Sequence, residues 1–341
     1  MSAQVNFGIW YDFRNPAPWA RPFESLYRSS LEQISWAEQL GIDSVWLTEH
    51  HFSDDGYCPS PLVIASAIGA GTRTMRIGTN LILLPLYHPI RLAEDVAALS
   101  LLTGGRFDLG VGAGYVEAEY RAFGRSLKHR PSLMEEAVAI IRQAWTGEPV
   151  NFQGKRFQVD NIPVLPAPEQ AIKVLMGAIS PPATARAARI SDGFLSSGGV
   201  GQEDYIDAVA AQGRTRDSAS IYAGSWGIVS EDPEQEAHML GPHLLHQMNG
   251  YLEMGAFGGG DGAPRFQTPE DAVTQGFYQF WTPDQAVENI LAQFEAFPQI
   301  RDMHFWAQFP GESTDSGSRR IELLAQRVLP RVRDTLSHRN N

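Results

Sequence analysis

Residues 44–52 read Ser-Val-Trp-Leu-Thr-Glu-His-His-Phe, an apolar run that stops on a carboxylate, two imidazoles and an aromatic ring. β-Branched and aromatic residues favour strands, so the first half predicts a short buried strand. Barrel and open-sheet α/β enzymes place their chemistry where such strands end. Histidine changes charge nearest neutral pH. An isolated His-His pair more often caps a turn or packs, so its meaning depends on the rest of the chain.

The segments on either side of this stretch alternate between helix and strand. An amphipathic helix is predicted over residues 23–40, and Gly41 ends it in the usual position after the last turn. A strand is predicted over residues 76–84, and its nearly unbroken apolar run is typical of burial on both faces in a parallel sheet. Eight strands are predicted in all, at residues 5–11, 44–48, 76–84, 107–111, 173–178, 193–196, 221–230 and 303–308.

Eight strands, each followed by a helix and without a break in composition, predict an α/β fold, a single-domain (β/α)8 TIM barrel over residues 1–341. An open doubly wound sheet is disfavoured, because no early Gly-x-Gly-x-x-Gly turn is present. A surface hairpin is predicted within residues 149–168, inserted after the fourth unit. The glycine-rich but aromatic segment 250–282, between strands seven and eight, predicts a mobile lid rather than a disordered insertion.

The composition limits the possible partners. The chain has 27 basic and 39 acidic residues and a net charge of −12, which disfavours nucleic acid. Cys58 is the only cysteine, so an intrachain disulfide and a cysteine-based zinc cluster are excluded. We find neither an apolar run that could span a bilayer nor a signal peptide, and we expect a cytoplasmic protein without membrane partners. No metal site is expected, because His243 and His246 share a helix face without an obvious carboxylate partner.

The carboxyl ends of the strands of a barrel meet at one mouth, where we expect the functional site. The residues predicted there are mostly aromatic or glycine, which suits a large, flat, uncharged ring system. The substrate pocket is predicted to contain Trp10, Phe52, Trp226 and Trp281. Ser180 precedes two prolines at the start of a helix, and it either binds an anion together with free backbone N–H groups or only caps that helix.

Four blocks of sequence, in this order and spacing, resemble the bacterial luciferase-like flavin monooxygenases, most closely the catalytic α-type subunit. Residues 41–52 read Gly-Ile-Asp-Ser-Val-Trp-Leu-Thr-Glu-His-His-Phe, and residues 77–85 read Ile-Gly-Thr-Asn-Leu-Ile-Leu-Leu-Pro. His88-Pro89 with Glu94-Asp95 follows, and residues 104–112 read Gly-Gly-Arg-Phe-Asp-Leu-Gly-Val-Gly. Weaker likeness extends over most of the chain. The fold of that family is a (β/α)8 barrel, in agreement with the count of strands.

The resemblance implies a two-component monooxygenase. Such an enzyme takes reduced FMN from a separate flavin reductase, activates O2 as a flavin C4a-peroxide and oxidises an apolar or aromatic small molecule. His50 takes the place of the catalytic histidine, a group that must titrate near neutrality. The segment that runs under the flavin, often through a non-proline cis peptide, corresponds to Asn80 and Leu81. The remaining cofactor-binding positions implied by the resemblance are Gly112, Tyr115, Ser180 and Thr184.

The chain also departs from luciferase. Luciferase has a reactive cysteine at the position of Gly112 and a phosphate-binding arginine at that of Ala113, so light emission from an aldehyde is not expected. Relatives outside the luciferases mostly self-associate, which implies a homodimer. Two alternatives stay open: an F420-dependent hydride-transfer oxidoreductase of the same superfamily, and a non-catalytic flavin-binding partner subunit.

Overall fold

The computed structural model describes residues 5–256, 265–275 and 277–339. Its strands are β1 (Asn6–Tyr11), β2 (Ser44–Leu47), β3 (Arg76–Thr79), β4 (Ile82–Leu83), β5 (Phe107–Gly112), β6 (Val150–Gln153), β7 (Gln158–Ile162), β8 (Val174–Gly177), β9 (Gly193–Ser197), β10 (Ile221–Ser225), β11 (Gly227–Val229), β12 (Gln279–Trp281) and β13 (Ile300–Trp306). Its helices are α1 (Phe23–Gln39), α2 (Pro61–Gly71), α3 (Pro89–Leu102), α4 (Glu117–Ala122), α5 (Arg130–Ala144), α6 (Pro181–Ile190), α7 (Gln202–Ala210), α8 (Pro233–Met254), α9 (Pro269–Gln275), α10 (Pro283–Ala296), α11 (Thr314–Leu323) and α12 (Leu329–Arg339).

Eight of the strands form a closed parallel barrel, which confirms the predicted fold. Around the barrel they follow the order β3-β2-β1-β13-β10-β9-β8-β5, and pairing of β3 with β5 closes the ring. Adjacent strands of the barrel pair in register, for example Trp10 of β1 with Trp46 of β2 on one side and with Trp306 of β13 on the other. All eight carboxyl ends therefore face the same mouth.

Two predicted strands are shorter in the structure than in the sequence pattern. Strand three, predicted over residues 76–84, stops at Thr79 and resumes as β4, which pairs with β5 alone. The peptide bond between Asn80 and Leu81, where it stops, is cis. Strand seven, predicted over residues 221–230, also divides, because β11 leaves the barrel and pairs with β12. In both cases the apolar sequence continues past the break, but the second part of the strand hydrogen-bonds to a different set of neighbouring strands.

The hairpin predicted within residues 149–168 is present, and its strands β6 and β7 pair antiparallel. Residues 257–264 and 276 of the predicted lid lie outside the described part of the chain. The rest of that segment is regular rather than loop-like: it holds the end of α8, then α9, then β12. The mobility of the lid therefore stays a prediction. Among the described residues, no helix combines the length and apolar character that a bilayer span requires.

Large aromatic side chains and glycines share the interior of the barrel. A Cβ atom on Gly224 would lie 2.7 Å from the ring of Trp10, and the ring of Trp46 leaves no room for a Cβ on Gly78. Interiors are packed as densely as organic crystals, so an indole fits across the barrel only where the facing strand carries glycine. This packing fills much of the interior, where the polar pair His304 and Asp302 of β13 is also buried.

Candidate active site

His50 follows β2 directly and lies at the mouth, where it is buried with 6% of its surface exposed. Its Nδ1 is 2.9 Å from Oε1 of Glu119, which also accepts the backbone N–H of His51 at 2.8 Å. Glu119 belongs to the short helix α4 and is almost completely buried. A carboxylate accepts only, so Nδ1 carries the hydrogen and Nε2 is left for proton exchange.

The Nε2 side of His50 faces two tyrosines. The hydroxyl of Tyr115 is 3.3 Å from Nε2, and the ring of Tyr57 meets the imidazole edge-on at 4.8 Å. Burial is the main cause that raises the pKa of Tyr115, so its phenol stays protonated. The hydroxyl of Tyr57 lies 3.0 Å from that of Tyr251 on α8. His50 thus sits between a carboxylate and a wall of neutral phenols.

The other residues of the His-His stretch have different surroundings. Glu49 accepts the backbone N–H of Leu83 at 2.5 Å and the hydroxyl of Tyr87, so it ties β2 to the segment after β3. The ring of His51 packs on Phe123 at 4.8 Å. Phe52, predicted for the substrate pocket, is 66% exposed and touches Phe123 at the rim. Nε2 of His51 lies 3.3 Å from Oε1 of Glu49, whereas Nε2 of His50 faces the hydroxyl of Tyr115 at the mouth.

Three tryptophans line the mouth. Trp10 stacks on Trp306 with ring centroids 4.2 Å apart, and Trp306 meets Trp226 at 5.9 Å. The indole nitrogens of Trp10 and Trp306 are buried and have no hydrogen-bond partner in the described part of the protein. Trp226 donates to the hydroxyl of Ser197 at 2.9 Å. The structure thus brings Trp10 and Trp226 together, whereas Trp281 packs against Gly227 in the pair of strands outside the barrel.

Leu81 and Asn80 lie where β3 stops. The side chain of Leu81 fills the space next to two glycines: a Cβ on Gly112 or on Gly177 would lie 2.6 Å from it. Asn80 turns inward, and its Nδ2 is 3.0 Å from Nε2 of His304. Asn80, Leu81 and Gly112 therefore occupy adjoining parts of the mouth, and their role in cofactor binding stays a prediction.

A buried polar cluster that sequence reasoning missed anchors α8 beside these residues. Nε of Arg14 lies 2.7 Å from Oδ2 of Asp55, and His246 donates to the same oxygen at 2.8 Å. Burial alone would raise the pKa of Asp55, but the hydrogen bond from His246 and the charge of Arg14 lower it well below its usual range. Burial raises the pKa of the neighbouring Asp12 to about 6.

The predicted anion site at the start of α6 has fewer donors than the sequence pattern indicates. Pro181 and Pro182 have no N–H group, and the N–H groups of Ala183 and Thr184 both donate to the carbonyl of Ser180 at 2.9 Å. Thr184 is buried and its hydroxyl also points back to that carbonyl, at 3.2 Å. The exposed hydroxyl of Ser180 is the group that stays available there, because it makes no capping bond.

Arg130 supplies a positive charge close to this point. Its Nη1 donates to the carbonyl of Gly114 at 3.2 Å, two residues beyond β5. β5 and β8 are neighbours in the barrel, so this carbonyl and Ser180 follow adjacent strand ends. Arg130 forms no ion pair with any described residue, unlike most arginines of the chain. The sequence pattern did not indicate Arg130, because Arg130 is separated along the chain from the glycine-rich turn after β5.

In the described ranges, no three His, Cys, Asp or Glu side chains come together as a metal site would require. The polar groups of the mouth are instead arranged for proton transfer and for an organic ring with hydrogen-bond acceptors. Buried indole N–H groups, aromatic faces and an imidazole backed by a carboxylate provide both functions.

Comparison with known proteins agrees with the barrel fold and with the resemblance seen in the sequence. The profile described as luciferase-like monooxygenase matches residues 5–298. An F420-dependent glucose-6-phosphate dehydrogenase of Amycolatopsis mediterranei (strain U-32) is 34% identical over 53% of this chain and 56% of its own length, so the chain spans little more than half of that relative. Another, from Nakamurella multipartita, is 27% identical over 92% of this chain and 97% of its own.

Among solved structures, the monooxygenase RslO1 from Streptomyces bottropensis is 25% identical, with a TM-score of 0.81 over 96% of this chain and 99% of that one. The profile match covers most of the sequence and agrees with the predicted resemblance and with the observed barrel. The chain belongs to the luciferase-like monooxygenase family of oxidoreductases.

Proposed function

We propose that this protein is an F420-dependent oxidoreductase that moves a hydride between an alcohol or carbonyl substrate and a deazaflavin bound at the mouth. The observation that carries the proposal is the buried pair of His50 and Glu119, 2.9 Å apart, with Nε2 of His50 directed to the mouth. The curated relatives named above support F420 over FMN, since each is named as an F420-dependent dehydrogenase.

The described residues fit a flavin-type ring with a phosphate-bearing side chain. The buried N–H groups of Trp10 and Trp306 have no acceptor within the described protein, and such rings carry carbonyl oxygens that could accept from them. Arg130 and the hydroxyl of Ser180 would hold the phosphate. When bound, the deazaflavin would supply the two-electron acceptor for the hydride.

His50 performs the proton part of the reaction. As the hydride leaves the carbon of the alcohol, Nε2 accepts the proton of its hydroxyl, and a carbonyl product remains. Glu119 keeps Nδ1–H in place and stabilises the imidazolium that forms, as a carboxylate does behind a catalytic histidine. In the reverse direction the same nitrogen returns the proton to the substrate oxygen.

The substrate is an uncharged, apolar or aromatic molecule. A phosphate ester would need an uncompensated cation beside the tryptophans, but the charge of Arg14 is balanced by Asp55 at 2.7 Å, although Nη1 of Arg14 has no partner among the described residues. The residues that the structure leaves undescribed include no lysine, and their only arginine is the side chain of Arg339, at the end of the chain. We therefore do not extend the glucose-6-phosphate substrate of the relatives to this chain.

The second candidate is a two-component monooxygenase that uses reduced FMN, O2 and a separate flavin reductase. The observation that favours it is the similarity to RslO1, which extends over nearly the full length of both chains. His50 would then steer protons during oxygen transfer instead of accepting a hydroxyl proton. A homodimer, a cytoplasmic location and the lid stay predictions under either candidate.

Fluorescence titration with F420 and with FMN, followed by anaerobic mixing with secondary alcohols such as cyclohexanol and 1-phenylethanol, tests the proposal. We expect F420 to bind and its visible absorbance to fade as the alcohol is oxidised, with glucose 6-phosphate inactive. Binding of FMN alone, with substrate oxidised only when reduced FMN meets O2, would replace the proposal by the second candidate. Failure to bind either cofactor would contradict both.

A further inference from the structure

A second histidine–carboxylate pair lies inside the barrel, below the mouth. His304 and Asp302 both point inward from β13 and are at most 1% exposed, with Nδ1 of His304 3.0 Å from Oδ1 of Asp302. Asp302 also accepts from the hydroxyl of Ser44 at 2.6 Å and from Nε1 of Trp46 at 2.9 Å. Burying a carboxylate is unfavourable unless donors surround it, and replacing a buried ion pair by well-packed apolar residues is often neutral or stabilising. A role beyond packing is therefore expected.

The carboxylate decides which nitrogen of His304 carries the hydrogen. Asp302 can only accept, so Nδ1 is protonated. Burial is the main cause that lowers the pKa of His304, so the ring stays neutral and Nε2 keeps a free lone pair. Trp46 stacks on the ring at 4.8 Å and Trp10 meets it edge-on at 5.3 Å, which seals it from the mouth.

The lone pair on Nε2 in turn orients Asn80. Nδ2 of Asn80 lies 3.0 Å from Nε2 of His304, and an acceptor nitrogen can bind only the amide end of the carboxamide. The oxygen end, Oδ1, therefore points away from His304. Oδ1 makes no hydrogen bond with any described residue, and Asn80 keeps 8% of its surface exposed at the mouth.

We propose that Asp302 and His304 are positioning residues that fix the direction of the Asn80 carboxamide, so that Oδ1 accepts a hydrogen bond from the ligand in the mouth. The ligand group that lies on Asn80 is then an N–H or O–H donor. The proposal depends on the proposed function only in requiring that a ligand occupies the mouth. Under this proposal Asp302 and His304 take no direct part in catalysis, because neither side chain reaches the bound molecule.

The first test needs no ligand, and it uses a variant only to assign signals. ¹⁵N NMR of the histidine rings, with the His304 signals assigned by their loss in His304→Gln, reports which ring nitrogen carries the hydrogen. We expect a neutral ring with hydrogen on Nδ1 and an unprotonated Nε2 that accepts a hydrogen bond. A ring protonated on Nε2 would overturn the proposal, whether or not any cofactor binds.

The second test reverses the carboxamide. Without a carboxylate, in Asp302→Ala, His304 prefers hydrogen on Nε2, and Asn80 must turn its oxygen toward the ring and its amide toward the ligand. We expect the ¹⁵N pattern to invert and the affinity for F420, or for FMN if that binds, to fall about tenfold or more. The matched control is Ser44→Ala, which removes another buried hydrogen bond to Asp302 but leaves the pattern and the affinity unchanged.

The third test is a rescue. In the double variant Asp302→Ala with Asn80→Asp, one carboxylate oxygen accepts from Nε2–H of His304 and the other again faces the ligand. Affinity should return to within about threefold of the wild-type value, which is non-additive recovery. Additive loss, or an Asp302→Ala protein that binds like wild type, would overturn the proposal. Absence of binding in the wild type would contradict the proposed function, and the first test would still decide the orientation of His304.

Discussion

Among the described residues, two histidine–carboxylate pairs have both partners buried, and their surroundings differ. His50 and Glu119 lie at the mouth, and among the described residues Nε2 of His50 meets only the phenol of Tyr115, at 3.3 Å. His304 and Asp302 lie inside the barrel, where Nε2 is occupied by Asn80 at 3.0 Å. In both pairs a carboxylate fixes the hydrogen on Nδ1. The chemistry of the ring is therefore decided by what the other nitrogen can reach.

The largest difference between the two pairs should appear when the imidazole at the mouth is removed. His50→Ala should leave cofactor affinity nearly unchanged and lower turnover by about 10²–10⁴, because it removes the group that exchanges the proton. Steady-state kinetics and a cofactor titration measure the two effects separately. The control is His51→Ala, whose ring packs on Phe123 and should have little effect on turnover. Unchanged turnover in His50→Ala would reduce His50 to a packing residue.

A milder change tests the carboxylate behind His50. Glu119→Gln keeps an acceptor for Nδ1–H of His50 and for the backbone N–H of His51 but removes the charge. Hydrogen bonds to charged groups contribute about 1.5–3 kcal/mol, so turnover should fall roughly tenfold to hundredfold. Stopped-flow measurement of hydride transfer shows whether the loss lies in the chemical step. A loss confined to cofactor affinity would contradict the role given to Glu119.

Asp12 is a buried carboxylate that has no histidine partner among the described residues. It therefore differs from the carboxylates of both pairs. Burial raises its pKa to about 6, above its value in the unfolded chain. Only the folded protein takes up this proton as pH falls from about 7 to about 4, so stability should rise by up to about 3 kcal/mol in that window. Urea unfolding at both pH values measures the rise, and Asp12→Asn should abolish it. Asp55 does not offset it, because its lowered pKa affects stability only below about pH 4.

The outer rim of the mouth should show the smallest effect. Arg130→Gln should reduce the preference for F420 over its phosphate-free deazariboflavin core, or for FMN over riboflavin under the second candidate, by roughly tenfold, because in each pair only the first compound has a phosphate that the guanidinium would hold. Fluorescence titration with both compounds gives the ratio without any need for activity. The control on the same helix is Arg142→Gln, since Arg142 is paired with Asp192 at 2.9 Å. Equal loss of affinity for both compounds would show that Arg130 acts only on the fold.

The sequence indicated His50 but not the residues that make it useful. The strand pattern pointed to the Glu-His-His-Phe cluster at residues 49–52, and the resemblance to the luciferase-like flavin monooxygenases singled out His50 within it. Glu119 could not be distinguished from Glu117 in the same acidic turn, although it is Glu119 that reaches back to β2. The contact joins residues 69 positions apart, and no local pattern records a pairing over that separation.

The start of α6 shows another feature that the sequence did not predict. The sequence pattern places Ser180 correctly at the end of a strand and before a helix. It does not reveal that the N–H groups of Ala183 and Thr184 are used by the carbonyl of Ser180, which leaves the anion site short of donors. Hydrogen-bond partners depend on the exact backbone direction at the turn, and composition does not fix that direction.

By itself, the sequence determined the barrel and its mouth. Alternating strand and helix patterns, and polar side chains placed directly after apolar strands, are local properties that need no knowledge of packing. Only the tertiary structure supplied the partners of each histidine. Closure of β3 onto β5 brings Glu119 to His50 at the mouth, whereas the inward face of β13 seals His304 between Trp10 and Trp46. The same side chain acts differently because burial and the partner of its second nitrogen are set by the closed barrel.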